Sequence, residues 1–405
     1  MSLPQPLYLD ASATSPPADE VLEVMQAVYR SAWGNPSSLH GFGLTAAEQL
    51  ERDRQELASM FGADAEELLF SSGGSESIHL AIHGVCSRCP PGRLLLSAVE
   101  HPATLAAAAL LLQRGWQVEL VPVDGSGLLD IDRLEALLEP PTRLLSLIWG
   151  QSEVGSLQNI EAIGARCRSA GVLLHLDAVQ VVGHQRVDFR SLPVDLLSFT
   201  AHKLQGPRGI GGLLVRAGLE LDALIGGGSQ ERGRRGGTEA VALVAGMAAA
   251  LKLATARLLA NNGSDPLAPL RDNLLTRLLE LPGLRLSGPD PRAGEPRLPH
   301  HLSLLVNDRS GQPLSGRQLV RALWREGVAA SSGSACSSGG ARATASGAAP
   351  SAAASPVLEA MGYGSAEAAS GLRFSLGPWL QSQDLDGVPA ALERARQQLM
   401  ENSSS

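Results

Sequence analysis

From residue 94 onward, short runs of leucine and β-branched residues alternate with amphipathic stretches, the pattern of βαβ units that build a parallel sheet. The runs predict strands over 94–99, 117–123, 143–149, 172–177, 196–199 and 212–215. Between them the apolar spacing predicts helices, among them 130–138 and 160–170, the second stopped by Gly171 at its C-cap. Residues 240–259 are a nearly unbroken run of helix formers, expected to be a linker helix that leaves this first unit. Segments 261–266 and 287–299, rich in Gly, Pro, Asn and Asp, read as loops around a second unit. That unit comprises a helix at 270–280, a strand at 301–306, a helix at 316–327, a strand at 372–376 and a final helix. Residues 337–356, mostly Ala, Ser and Gly, have no face to bury and are expected to form a flexible loop.

A chain of 405 residues exceeds what one core usually supports, so two domains are expected: 1–260, with an N-terminal arm, and 261–405. The fold class is α/β, a large domain with a mostly parallel sheet and a smaller C-terminal α+β domain. With 44% hydrophobic and 18% charged residues the composition is globular, and a net charge of −8 without a basic stretch argues against a nucleic-acid partner. The first residues lack the charged and apolar regions of a secretory signal, and no apolar run long enough for a membrane span is apparent; no membrane partner and a cytoplasmic location are expected. Four cysteines, at 86, 89, 167 and 336, are too few for a disulfide framework. Cys86 and Cys89 form a CxxC without a second pair, expected at a surface connection, and Cys167 is expected to be packing.

Lys203 stands at the end of an apolar strand, an uncommon place for a solvated charge. It suits a Schiff-base lysine, although a strand-end lysine can also simply snorkel to water. One βα unit earlier a hydrophobic strand ends in Asp177, a residue able to keep a pyridinium nitrogen protonated or merely to cap a helix. Gly74 and Ser75 lie in a glycine-rich turn before a helix, where backbone N–H groups can cradle phosphate. His101 follows a strand at the carboxyl edge of the sheet, where a flat imidazole could stack on a flat cofactor. These residues point to pyridoxal 5'-phosphate (PLP).

Nine ordered segments, YLDASAT at 8–14, GNPSS at 34–38, SGGSES at 72–77, EH at 100–101, DAVQ at 177–180, AHK at 201–203, GRRGGT at 233–238, SSGSAC at 331–336 and LRFSL at 372–376, resemble the motifs of NifS/IscS-type cysteine desulfurases. The resemblance implies the class V aminotransferase fold (PLP fold type I), a homodimer, and transfer of sulfur from L-cysteine to iron–sulfur assembly or other acceptor proteins. By it Lys203 is the Schiff-base residue, Asp177 the pyridinium partner, Gln180 the partner of the ring phenolic oxygen and His101 the stacking group, counted with Lys203 and Cys336 as catalytic because it could pass protons to either thiol. Thr200 and His202 join Gly74 and Ser75 on the phosphate, and Thr238 reaches it from the other subunit. Arg373 clamps the substrate carboxylate, approached also by Asn35. Cys336 is the nucleophile that takes the sulfur as a persulfide, and could ligate an iron–sulfur cluster transiently during hand-over.

The chain departs from the family in three places. Ser152, counted among the cofactor-site residues, replaces an asparagine that normally approaches cofactor and substrate; Ile78-His79 replaces an Asp-Asn; and the segment after Cys336 is of low complexity. Rival readings are a selenocysteine lyase or another class V enzyme, which would not need Cys336, and a scaffold without turnover.

Overall fold

The structure is a computed structural model and describes residues 6–333 and 354–403. The strands are β1 (Leu7–Tyr8), β2 (Leu68–Ser71), β3 (Arg93–Ser97), β4 (Gln117–Val121), β5 (Thr142–Ile148), β6 (Leu173–Asp177), β7 (Leu196–Thr200), β8 (Gly211–Val215), β9 (Leu284–Leu286), β10 (His301–Val306), β11 (Val328–Ala329) and β12 (Gly371–Ser375). The helices are α1 (Asp19–Ser31), α2 (Gly41–Met60), α3 (Gly74–Cys86), α4 (Pro102–Leu112), α5 (Ile131–Leu137), α6 (Ile160–Ala170), α7 (Val241–Ala260), α8 (Leu267–Leu279), α9 (Gly316–Arg325), α10 (Pro356–Ala360), α11 (Ser365–Ala368) and α12 (Val388–Ser403).

Seven strands form one sheet in the order β2-β8-β7-β6-β5-β3-β4. Five of them, from β7 to β4, run parallel, while β8 pairs antiparallel with both β7 and β2. The strands β2, β7 and β8 are buried at every position, as expected of a sheet covered on both faces. The short strand β2 escapes a sequence reading because its four residues lie within a mixed apolar stretch that has neither a helical nor an alternating period. Gly171 adopts φ 66° at the end of α6, the left-handed cap read from the sequence.

A second sheet, β12-β10-β9, is antiparallel and packs with α8, α9 and α12 around a separate core. Leu9 belongs to that core, and β1 pairs with β11; the N-terminal arm, grouped in sequence with the large unit, therefore packs on the small one. The helix α7 is more than a linker. Its face from Val241 to Leu251 is buried in the large core, and it packs against α1 and α2. Among the described residues it is the one helix long and apolar enough to cross a membrane, at mean hydropathy 1.6, and 61% of that stretch is buried inside the protein.

The CxxC is not a surface connection throughout. Cys86 ends α3 in an apolar cluster with Ile82 and Leu94, and burial pushes its thiol up to about 12; Cys89 is half-buried. Cys167 is buried in the large core, as packing requires. Among the described residues no group of His, Cys, Asp and Glu is arranged to hold a metal ion.

Helix α6 lies so close to the following loop that a Cβ at Gly164 would stand 2.4 Å from the Pro193 carbonyl oxygen, a backbone atom that cannot rotate away. Gly164→Ala is expected to cost about 1–3 kcal/mol in urea unfolding, and an unchanged midpoint would contradict this packing.

Candidate active site

The parallel strands β5, β6 and β7 end within two residues of one another. Ile148 of β5 pairs with Asp177 of β6, which pairs with Ser198 of β7, so the turns that follow all open onto one cavity of about 320 Å³. That volume suits a small cofactor. Gly74, Ser75, His101, Asp177, Gln180 and Lys203 line it, as do Ser152, Thr200, His202 and Arg373.

Lys203 ends a single 3₁₀ turn after β7, and its ammonium donates to the carbonyls of Ser12 (2.5 Å) and Ala13 (2.8 Å). Asp177 is 3% exposed and accepts the Val179 N–H. Burial raises its pKa, opposed by His101 and Lys203. His101 caps α4, its Nδ1 accepting the Ala103 N–H at 3.1 Å. Burial holds this imidazole below its ordinary range despite Asp177, so the neutral ring carries its proton on Nε2.

The N-terminus of α3 forms the other end of the cavity. Gly73 caps it at φ 150° with no side chain on the first-turn N–H groups, and a Cβ at Gly74 would stand 2.8 Å from Val179. Both features leave an open cradle of backbone donors at the positive end of the helix, fitted to a phosphate. Thr200 borders this cradle, its hydroxyl donating to the Ile210 carbonyl. His202 lies half-buried against the Thr14 hydroxyl, and burial, then Lys203 and Arg208, lower its pKa to about 4. A flat, anionic cofactor held by an amine at one edge and by N–H groups at the other fits this donor set.

Arg373 is buried on β12, with Leu372 and Phe374 turned into the second core. The strand therefore turns Arg373 to the cavity and not to solvent. Its guanidinium donates to Asp10 (2.6 Å) and to the Ser152 carbonyl (2.9 Å), and its Nε has no partner among the described residues. Ser152 thus contributes its backbone carbonyl, which His301 also meets at 3.0 Å. Gln180 turns its amide to the Ser12 carbonyl.

Two expected residues stand apart. Asn35 is exposed, its side chain accepting from Ser37, and Thr238 is exposed on a glycine-rich loop; neither lines this cavity. Cys336 lies outside the described residues, although Gly333 on one side of it and Pro356 and Val357 on the other do line the cavity.

Sequence reasoning passed over three lining residues. The carbonyl of Ser12 has no side-chain signature. Glu153 is buried, and one of its carboxylate oxygens has no partner among the described residues. Glu100, read only as the neighbour of His101, accepts from Ser97 (2.7 Å) and from the Ile148 N–H (2.8 Å), while its Oε2 is buried and has no partner among the described residues. Burial, with Asp177 nearby, pushes it up to about 8.

Residues 7–388 match the aminotransferase class-V family. The cysteine desulfurase IscS of Methylococcus capsulatus is 38% identical over 386 residues, covering 94% of this chain and 90% of that protein. IscS of Methanosarcina thermophila is 35% identical over 384 residues, with the same coverage of 94% and 90%. A solved NifS-like protein superposes with a TM-score of 0.85 at 30% identity, covering 98% of this chain and all of that one. A structure described as SspA in complex with cysteine gives 0.76 at 29% identity, covering 93% of this chain and 100% of that one. A chain that shares the domain over nearly its whole length, and these relatives on top of it, belongs to the class V aminotransferase family of PLP enzymes, among the cysteine desulfurases.

Proposed function

We propose that this protein is a cysteine desulfurase that converts L-cysteine to L-alanine and takes the sulfur onto Cys336. The observation that carries the reading is one cavity in which a buried carboxylate, a lysine and an uncapped helix N-terminus converge beside a buried arginine. Lys203 holds PLP, Asp177 keeps the pyridine nitrogen protonated, and the N–H groups of Gly74 and Ser75, with Thr200 and His202, take the phosphate. Gln180 would serve the ring oxygen, and His101 would stack on the ring. When bound, the cofactor supplies the electron sink that makes the Cα–H of an amino acid labile.

Arg373 receives the substrate carboxylate, a bidentate task suited to guanidinium, in competition with Asp10. The Lys203 amine removes the Cα proton and later returns a proton to the product. Cys336 thiolate attacks the substrate sulfur; the carbon–sulfur bond breaks, the sulfur stays on Cys336 as a persulfide, and the three-carbon product leaves as L-alanine. The acceptors proposed for that sulfur are iron–sulfur scaffold and other acceptor proteins.

A homodimer is part of the proposal. Trp33 (63% exposed), Leu39 (92%) and Phe42 (61%) form an apolar surface around the α1–α2 connection, next to Asn35. Asn35 and Thr238 are both exposed and do not line this chain's own cavity, as residues serving a partner's cavity would be.

Lys203→Ala is expected to abolish the visible band of bound cofactor; a protein that stays colourless with PLP even as wild type would refute the cofactor assignment. Cys336→Ser should keep that band and its spectral response to cysteine yet lower alanine release by about a thousandfold or more, because only the nucleophile is lost. Wild-type turnover in that variant would exclude the persulfide route. For the dimer, Phe42→Asp is expected to shift sedimentation toward monomer and weaken cofactor retention.

Glu100 gives a pH test with a definite sign. Its folded pKa is raised from 4.5 to about 8, so its contribution is fully present below 4.5 and is lost as pH rises toward 8. Between pH 5 and 7.5 the apo-protein of Glu100→Gln should therefore gain up to about 3 kcal/mol relative to wild type in urea unfolding, and parallel pH profiles would contradict a protonated Glu100.

A further inference from the structure

Ser12 is a backbone hub whose polar atoms are all engaged. Its carbonyl accepts from Lys203 (2.5 Å) and Gln180 (2.9 Å), and its N–H donates to the Ser375 hydroxyl (2.8 Å). Its own hydroxyl meets His300 Nε2 at 3.3 Å. His300 is 1% exposed and lies flat on His184, with ring centroids 3.7 Å apart and planes 14° from parallel. His184 in turn donates from Nδ1 to Asp265 Oδ2 at 2.7 Å, and Arg257 stands 3.6 Å from the same oxygen. A carboxylate therefore orients one imidazole, which fixes the plane of the next, which reaches the loop that receives the catalytic lysine. Neither His184 nor His300 lines the cavity.

His300 leaves its Nδ1 buried and, among the described residues, without a partner. A buried orphan nitrogen is unfavourable, and an apolar side chain of similar volume would pack on His184 without it. What the imidazole adds is the bond to Ser12.

We propose that His300, stacked on the His184–Asp265 pair, is a positioning residue that holds the Ser12 carbonyl where it receives the ammonium of Lys203 and the amide of Gln180. The four residues of the chain come from distant segments: the N-terminal arm, the turn after β6, the residue before β10 and the turn before α8. The small unit thereby sets the position of a lysine carried by the large one. This role rests on the cofactor assignment above and is independent of Cys336.

The test follows the visible band when PLP is added back to apoenzyme, together with cysteine turnover. His300→Leu, which keeps packing volume and loses the hydrogen bond, is expected to slow band formation and lower kcat by about fivefold, with KM for cysteine within about twofold. His300→Gln, which can still reach Ser12, should restore both rates to within about twofold of wild type. Wild-type rates in the leucine variant overturn the proposal, and so does equal slowing by leucine and glutamine, since that would be packing alone. If His300→Leu does not fold, Ser12→Ala removes the other end of the same bond, and wild-type band formation there overturns it equally. A wild-type protein that forms no band fails the cofactor assignment itself, which separates that failure from one confined to the variants.

Discussion

The site depends on the parallel register of β5, β6 and β7. Side chains in a strand alternate faces, so a slip of one residue would turn Asp177 away from the cavity and replace it with Leu176 or Ala178. The burial of β7 and the near-complete burial of β6 make that slip costly, because it would also move the hydrogen-bonded His175 and Ser198 into the apolar layer of Leu174, Leu176, Leu197 and Phe199. The register in turn fixes where the chain leaves each strand: after Asp177 into the turn that carries Gln180, and after Thr200 into the single turn that ends at Lys203. The antiparallel strand β8 completes the arrangement by binding β7 on its other edge and placing the Ile210 carbonyl against the Thr200 hydroxyl.

Charge is handled by pairing at the edges and neutrality at the centre. Arg54 and Glu231 form a buried pair, with the carboxylate also accepting the Phe70 N–H, and so tie the loop leading to Thr238 onto β2. Arg235 pairs with Glu76 in the first turn of α3, holding the same loop beside the phosphate cradle. Near the cavity, burial keeps His101, His202, His300 and His301 below the ordinary histidine range and Glu100 and Glu153 above the ordinary carboxylate range. Burial thereby disfavours charge on groups that would repel or screen a charged substrate, beside Arg373 and Lys203 that would meet it.

How much of this was legible in the sequence follows from which signals are local. The buried strands 94–99, 143–149 and 172–177 were visible within one or two residues because leucine and valine runs bounded by turns have few other readings. Lys203, Asp177 and Gly74 were recognisable from residue type at strand or helix ends. The short strands β1, β9 and β11 were not, being set by their partners rather than by any period of their own. Carbonyls of Ser12 and Ser152 could not be read at all, since every residue has one and only the fold selects which is used. The buried His184–His300 stack joins residues 116 positions apart, and Asp10 reaches Arg373 across 363, separations at which a single chain gives no pairing signal. Buried Cys86 was misplaced because the turn residues after it dominate the local pattern while its own side chain belongs to the helix before.

The apolar helix α7 has a consequence for synthesis on the ribosome. A segment of this length and hydropathy resembles, while it is still extended, the kind that membrane-insertion machinery and chaperones engage. Its packing partners α1 and α2 lie N-terminal to it, so the surfaces that cover it have already emerged when it does. The order of the chain thus shortens the time for which that stretch stands uncovered, a protection that a circular permutant beginning at α7 would lose without any change in the finished fold.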